Sequence, residues 1–146
     1  MLILAKADKA EIVHTVRAAA PYEACGLLIG EHDGRGNVEI TKVVPSRNLM
    51  RDKGGDAGRD LFEIDPLVRL HWQKVLRGQK SQIIGHYHSH PNGQATPSLT
   101  DQKNAHEADL YWLIIAVDDN GAIDMAAFRP QKAYGPFDPV DLKIAD

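Results

Sequence analysis

Apolar residues fall along this chain in two different periods, and the places where the period changes divide it into elements. Ile12, Val13, Val16, Ala19 and Ala20 recur at helical spacing. Asp8 stands in N-cap position, Glu11 three residues later completes a capping box, and Pro21 stops the run, so a helix is predicted over 8–20. The compact run CGLLIG (25–30), the Gly-rich turn EHDGRGN and the alternating VEITKVV then predict a β-hairpin. Residues 45–60 carry Gly, Pro and charge with no apolar period and are expected to form a long exposed loop, of the kind that is often functional. Asp65 and Pro66 open a second helix through Leu67, Val68, Leu70, Trp72, Val75 and Leu76, with Gly78 just past its end.

SQIIGHYHSH (81–90) reads as a strand, NGQATPS as a loop, and TDQKNAHEA (100–108) as a short helix capped by Ser98 or Thr100. LYWLIIAV (110–117) is apolar on both faces, which predicts the central strand of a sheet covered on both sides. DDNG turns it into a partner strand, AIDMAAF (122–128). The segment after Phe128, with Pro130, Pro136 and Pro139, is read either as an edge strand or as a tail against the core. This order predicts an α/β (α+β) fold in which helices flank a mixed, largely antiparallel central sheet, a three-layer sandwich.

The 146 residues suit a single domain over 1–146 with a sizeable core, and 43% hydrophobic with 25% charged residues is a globular composition. A net charge of −3 offers no excess of positive charge for phosphates, so no nucleic-acid partner is expected. The longest apolar stretch falls far short of the ~20 residues of a membrane span, and MLILAKADKA does not read as a signal peptide, so the expected compartment is the cytoplasm. Oligomeric state is not encoded in any pattern found. The one cysteine, Cys25, excludes an intramolecular disulfide and a thiolate-rich zinc site, leaving His and carboxylates as the available metal ligands.

Seven histidines are present, and three of them, His86, His88 and His90, alternate along one strand and share a face. Neighbours on that face lie about 6.6 to 6.8 Å apart, close enough for two imidazoles to meet on one ion, whereas three span about 13 Å. The pair is therefore either 86 with 88 or 88 with 90. Pro91 and Asn92-Gly93 turn the chain, so Ser98 and Asp101 at the start of the next helix can face back toward the strand end. A two-His, one-carboxylate set leaves a fourth tetrahedral position open, as in catalytic zinc sites. Alternatively, Asp101 is an acidic residue favoured by the helix dipole and Ser98 an ordinary cap. His86 is either a group supporting a ligand or a core histidine, and Cys25 is either a nucleophile or a small buried hydrophobe. His106-Glu107 is not a zincin motif, since no His follows at the required spacing, and the cysteines of a deaminase are missing.

His88-Ser89-His90-Pro91, six residues, Ser98, two residues and Asp101 resemble, without gaps, the HSHP(x6)SxxD signature of the JAMM/MPN metalloproteases. Pro21 to Gly30 resembles the segment carrying that family's upstream Glu, and Phe62-Glu63-Ile64-Asp65-Pro66 is similar to its compact prokaryotic members. The likeness covers roughly residues 5–128. It implies the JAMM/MPN fold, zinc ligands His88, His90 and Asp101 with one Zn2+ per chain, Glu23 as general base and Ser98 as a hydroxyl donor to the tetrahedral intermediate. From its residues alone, Glu23 is a solvated acid after a helix. The resemblance further implies a zinc metallopeptidase or isopeptidase acting after the Gly-Gly tail of a ubiquitin-like protein, with a sulfur carrier preferred. The rival readings are a non-catalytic MPN-type protein-binding scaffold and a zinc hydrolase of a small amide conjugate.

Overall fold

The computed structural model describes residues 1–121 and 123–146; Ala122, expected at the start of the second hairpin's return strand, lies outside the described residues. The chain runs β1 (Leu2–Ala5), α1 (Lys6–Ala19), β2 (Cys25–His32), β3 (Val38–Ser46), a 3-10 turn (Arg51–Lys53) and α2 (Pro66–Val75). It continues as β4 (Gln82–Pro91), α3 (Leu99–Lys103), β5 (Tyr111–Val117), β6 (Ile123–Pro130), β7 (Phe137–Val140) and β8 (Leu142–Ala145). The strands form one mixed sheet in the order β7-β6-β5-β4-β2-β3-β1-β8. Pairs β2–β3, β2–β4, β5–β6 and β6–β7 are antiparallel, while β1–β3, β1–β8 and β4–β5 are parallel.

Both predicted hairpins form, and the predicted α/β sandwich is the fold. The centre of the sheet is β4 and β2, however, with β5 one place further out, because β2 inserts between β3 and β4. The first helix starts earlier than expected. Ala5 is its N-cap and makes no side-chain cap bond, so Asp8 is a first-turn acid instead of the cap. The cause is β1, which pairs with β3 and β8 and runs directly into the helix. The third helix is five residues long instead of nine: His106 N bonds Asn104 O, and Tyr134 from the β6–β7 connection ties down Ala105 and His106. The tail resolves into both options: β7 and β8 are edge strands at opposite ends of the sheet, and their Val140 and Leu142 pack against the core. Asp65 caps α2 by accepting from Leu67 N, and Gly78 just beyond it takes φ +75°, as the pattern predicted.

α1 lays Ile12 and Val16 onto one face of the sheet, where Leu28, Val38, Ile40, Tyr87, Leu113 and Ile115 form the buried core. α2 crosses the opposite face and has no fully buried residue; its Pro66 and Arg69 share a cavity with Leu27, Ile83 and His86. No helix of the described residues is long and apolar enough to cross a membrane.

Candidate metal centre

The alternation of β4 sends Tyr87 and Ser89 into the core under α1 and leaves His86, His88 and His90 on the opposite face. Pro91 ends the strand and Asn92, at φ 56°, reverses the chain. The return is fixed by a capping box: Ser98 Oγ accepts from Asp101 N at 3.0 Å, and Asp101 Oδ2 accepts from Ser98 N at 2.9 Å. Asp101 Oδ2 also stands 3.3 Å from His88 Nε2 and 3.1 Å from His90 Nε2, and the two Nε2 atoms are 2.9 Å apart. Capping and convergence on the histidines are thus carried by one carboxylate oxygen. Ser98 is exposed, with its hydroxyl hydrogen left over from the cap.

Glu23 arrives from the α1–β2 connection, which three bonds hold in place: Glu23 N to Gly58 O, Asn48 Nδ2 to Glu23 O, and Ala24 N to Ser89 Oγ on β4. Its side chain is only 4% exposed, and Oε1 has no hydrogen-bond partner among the described residues. A carboxylate oxygen of Glu23 and the ring nitrogens of His88 and His90 lie within 4.8 Å of one another. That separation leaves room for one small ligand between them.

Electrostatics separate the two carboxyls. Burial opposes ionisation of Asp101, but bonds from His88, His90 and Ser98 N together outweigh it and hold the group well below the usual carboxylate range. Burial pushes Glu23 up to about 8; His90 works against this, while Asp101 and Asp60 add to it. Burial lowers His88, which is fully enclosed. For His90 burial also acts downward, yet Asp101 and the Gln94 carbonyl prevail and its affinity for protons is raised. The His90 Nδ1 to Gln94 O contact of 2.8 Å fixes Nδ1 as the N–H donor, turning the Nε2 lone pair toward Asp101.

His90 Nε2 and Asp101 Oδ2 therefore face each other as acceptors with His88 Nε2 beside them, all within 2.9–3.3 Å, a close approach that a proton or a cation among them relieves. Metal–ligand lengths of about 2.0–2.1 Å in a tetrahedral site require donors roughly 3.3 Å apart, so the set fits one divalent cation. Asp101 completes the triangle better than Glu23 does: it is closer to both rings and it is the ionised carboxyl.

The remaining sequence candidates fall into place. The His86 ring lies 4.4 Å from Trp112 and makes no bond to the triangle; burial, then His88, holds its proton affinity low. The Cys25 thiol is buried against the carbonyls of Ser46 and Arg47 and is pushed up to about 12 by burial and by Glu23, so it is a packed thiol and not a thiolate nucleophile. The expected 45–60 loop is more ordered than its composition suggested. Pro45 and Ser46 pair with Gly26 and Cys25 in β3, and buried Asn48 binds Glu23 O and Leu61 O while accepting from Met50 N and Glu63 N. Sequence reasoning missed Asn48, which stands in a stretch without period. It also missed Phe62, which stacks on His88 at 4.2 Å, and Trp112, whose strand register with His86 places it on the site face.

A two-His strand and an acid-bearing helix at the end of a helix-flanked mixed sheet define a JAB-type fold with a metal-binding geometry. The chain belongs to the prokaryotic homologues of the JAB domain, whose family model matches residues 6–130. It is 30% identical over 98 residues to a desampylase of Haloferax volcanii, covering 67% of this chain and 65%, under two thirds, of that protein. It is 26% identical over 138 residues to a CysO-cysteine peptidase of Mycobacterium tuberculosis, covering 92% of this chain and 88% of the relative. The solution structure of a Desulfitobacterium hafniense protein superposes with a TM-score of 0.83 at 31% identity, over 100% of this chain and 94% of that one.

Proposed function

We propose that this protein is a zinc-dependent peptidase or isopeptidase that hydrolyses the amide bond after the C-terminal tail of a ubiquitin-like, sulfur-carrier type protein. The observation that carries the reading is the convergence of His88 Nε2, His90 Nε2 and Asp101 Oδ2 within 3.3 Å, beside a buried, unpartnered Glu23 carboxyl. The names of the relatives, a desampylase and a CysO-cysteine peptidase, support the reaction class and the choice of substrate.

His88, His90 and Asp101 would hold the ion. What zinc supplies when bound is Lewis acidity, which polarises a carbonyl and makes water acidic near neutral pH. Glu23, buried beside the two rings with its Oε1 free of any partner among the described residues, takes the proton of the attacking water and delivers it to the departing amine. Ser98 keeps a hydroxyl hydrogen free to donate where charge develops on the carbonyl oxygen. Phe62, Trp112 and His86 wall the site and restrict water around the reacting groups.

The test is elemental analysis of the purified protein beside His88→Ala, followed by incubation with a Gly-Gly-tailed ubiquitin-like protein carrying one extra residue. One zinc per parent chain, lost in the variant, with release of the extra residue by the parent alone, is expected. Little metal in both after dialysis against zinc overturns the enzyme reading and leaves a binding scaffold of the same fold. Full metal with cleavage only of small amide conjugates overturns the substrate.

A further inference from the structure

Beside the metal centre lies a cavity of about 580 Å³, lined among others by Phe62, Arg69, His86, Asn104, His106 and Trp112. It adjoins the site directly, because the rings of Phe62, Trp112 and His86 stand 4.2, 5.6 and 6.4 Å from the His88 ring. Arg69 is the fixed cation of this wall. Glu107, on the segment after α3, holds the end of its guanidinium in a fork, Nη1 to Oε1 at 2.8 Å and Nη2 to Oε2 at 3.0 Å. The side edge of the guanidinium is different: Nε is buried and has no acceptor among the described residues, although the side chain as a whole is 39% exposed. A planar guanidinium offers two edges to carboxylates, and here only one is used. An N–H buried without an acceptor is unfavourable in the free protein, and a small rotation of the partly exposed side chain that opens this edge to an arriving oxygen relieves it.

We propose that Arg69 forms a subsite for a carboxylate of the substrate, using the guanidinium edge that Glu107 leaves free. This rests on the hydrolase reading above and specifies its substrate. The carboxylate is either an acidic side chain in the tail before the scissile bond or the free α-carboxylate of a single amino acid released after it. Glu107 orients the guanidinium and at the same time competes with the substrate by its charge.

Four acetylated peptides ending Gly-Gly-Ala distinguish the sources, with Glu or Gln in the tail before the glycines and a free or amidated C-terminus. For the matching acid, Arg69→Gln raises KM about ten- to a hundredfold with kcat little changed, the loss expected for charge-assisted hydrogen bonds, while the neutral counterpart is unaffected. Glu107→Gln keeps an acceptor for the guanidinium but removes the competing charge, and lowers KM for the same acid severalfold. A purely structural latch predicts the opposite, both substitutions moving KM in one direction. The second measurement is NMR titration of the zinc-loaded Glu23→Gln protein, which binds the peptides without turning them over and in which the Arg69 Nε–H resonance shifts with the matching acid and not with its neutral partner. Equal treatment of all four peptides by parent and Arg69→Gln, or an Nε–H resonance indifferent to every peptide, overturns the subsite. If the parent cleaves none of the peptides but the resonance responds to one acid, the hydrolase reading fails with these substrates and the carboxylate subsite stands.

Discussion

The two faces of one sheet make the instructive contrast in this molecule. Under α1, neighbouring strands present Leu28, Tyr87, Leu113 and Ile115, and the helix seals them with Ile12 and Val16. Across the same strands, one residue out of phase, stand Cys25, His86, His88, Trp112 and Ile114, roofed by a helix with no fully buried residue and by the segment before it. The first face is closed and apolar apart from the Tyr87 hydroxyl, which is buried there without a partner among the described residues. The second gathers most of the buried polar atoms that lack partners among the described residues, Glu23 Oε1, His86 Nδ1 and His88 Nδ1, which is costly unless a ligand or ion satisfies some of them. Because the strand period is two, stability and chemistry share each strand without sharing residues.

Substitutions that act on one face and spare the other test this separation. The largest effect is expected from Glu23→Gln, which should lower turnover by about 10²- to 10⁴-fold or more while zinc content and melting temperature are kept, as read by kinetics beside elemental analysis. A matching loss of zinc would make Glu23 a ligand and not a base. On the closed face, Leu113→Ala deletes a side chain with no exposure and should cost about 2–5 kcal/mol in urea unfolding, with metal stoichiometry of the folded fraction unchanged.

A pH series sharpens the contrast further. Glu23 in the metal-free protein holds its proton up to about pH 8, against 4.5 for the free group. Its contribution is fully present below pH 4.5 and is lost as pH rises through 8. The chelated parent should therefore lose stability from pH 5 to 8.5 by roughly a few kcal/mol more than chelated Glu23→Gln does. An identical slope in the two proteins would show that burial does not govern this carboxyl. The smallest effect is Asp65→Ala, which removes the cap bond to Leu67 N and should cost about 1 kcal/mol in the same assay, since α2 roofs the site face without anchoring the core.

Much of the site was legible because its geometry is local. Alternation along 86–90 puts the histidines on one face whatever the fold, and the Ser98 and Asp101 pattern predicts a helix start whose first acid points back along the chain. The two readings of Asp101, capping acid and metal ligand, were rivals in sequence, and the structure shows one oxygen in position for both. Glu23 was legible only through family resemblance. Nothing local marks it, since its backbone is positioned by bonds from Gly58, Asn48 and Ser89, residues 25 to 66 positions away along the chain.

By itself, then, the sequence determined the periods: which residues alternate on a strand, where α2 and α3 are capped, which turns close the hairpins, and that His and carboxylates are the ligands on offer. Those are consequences of backbone geometry over a few residues. Tertiary structure decided the rest. It inserted β2 between β3 and β4, drew β1 and β8 together from the two ends of the chain, shortened the third helix, and brought Glu23, Phe62, Trp112 and Arg69 around the histidines. Such placements follow from strand pairing and burial between distant segments, and their strength depends on every other contact in the fold rather than on spacing along the chain.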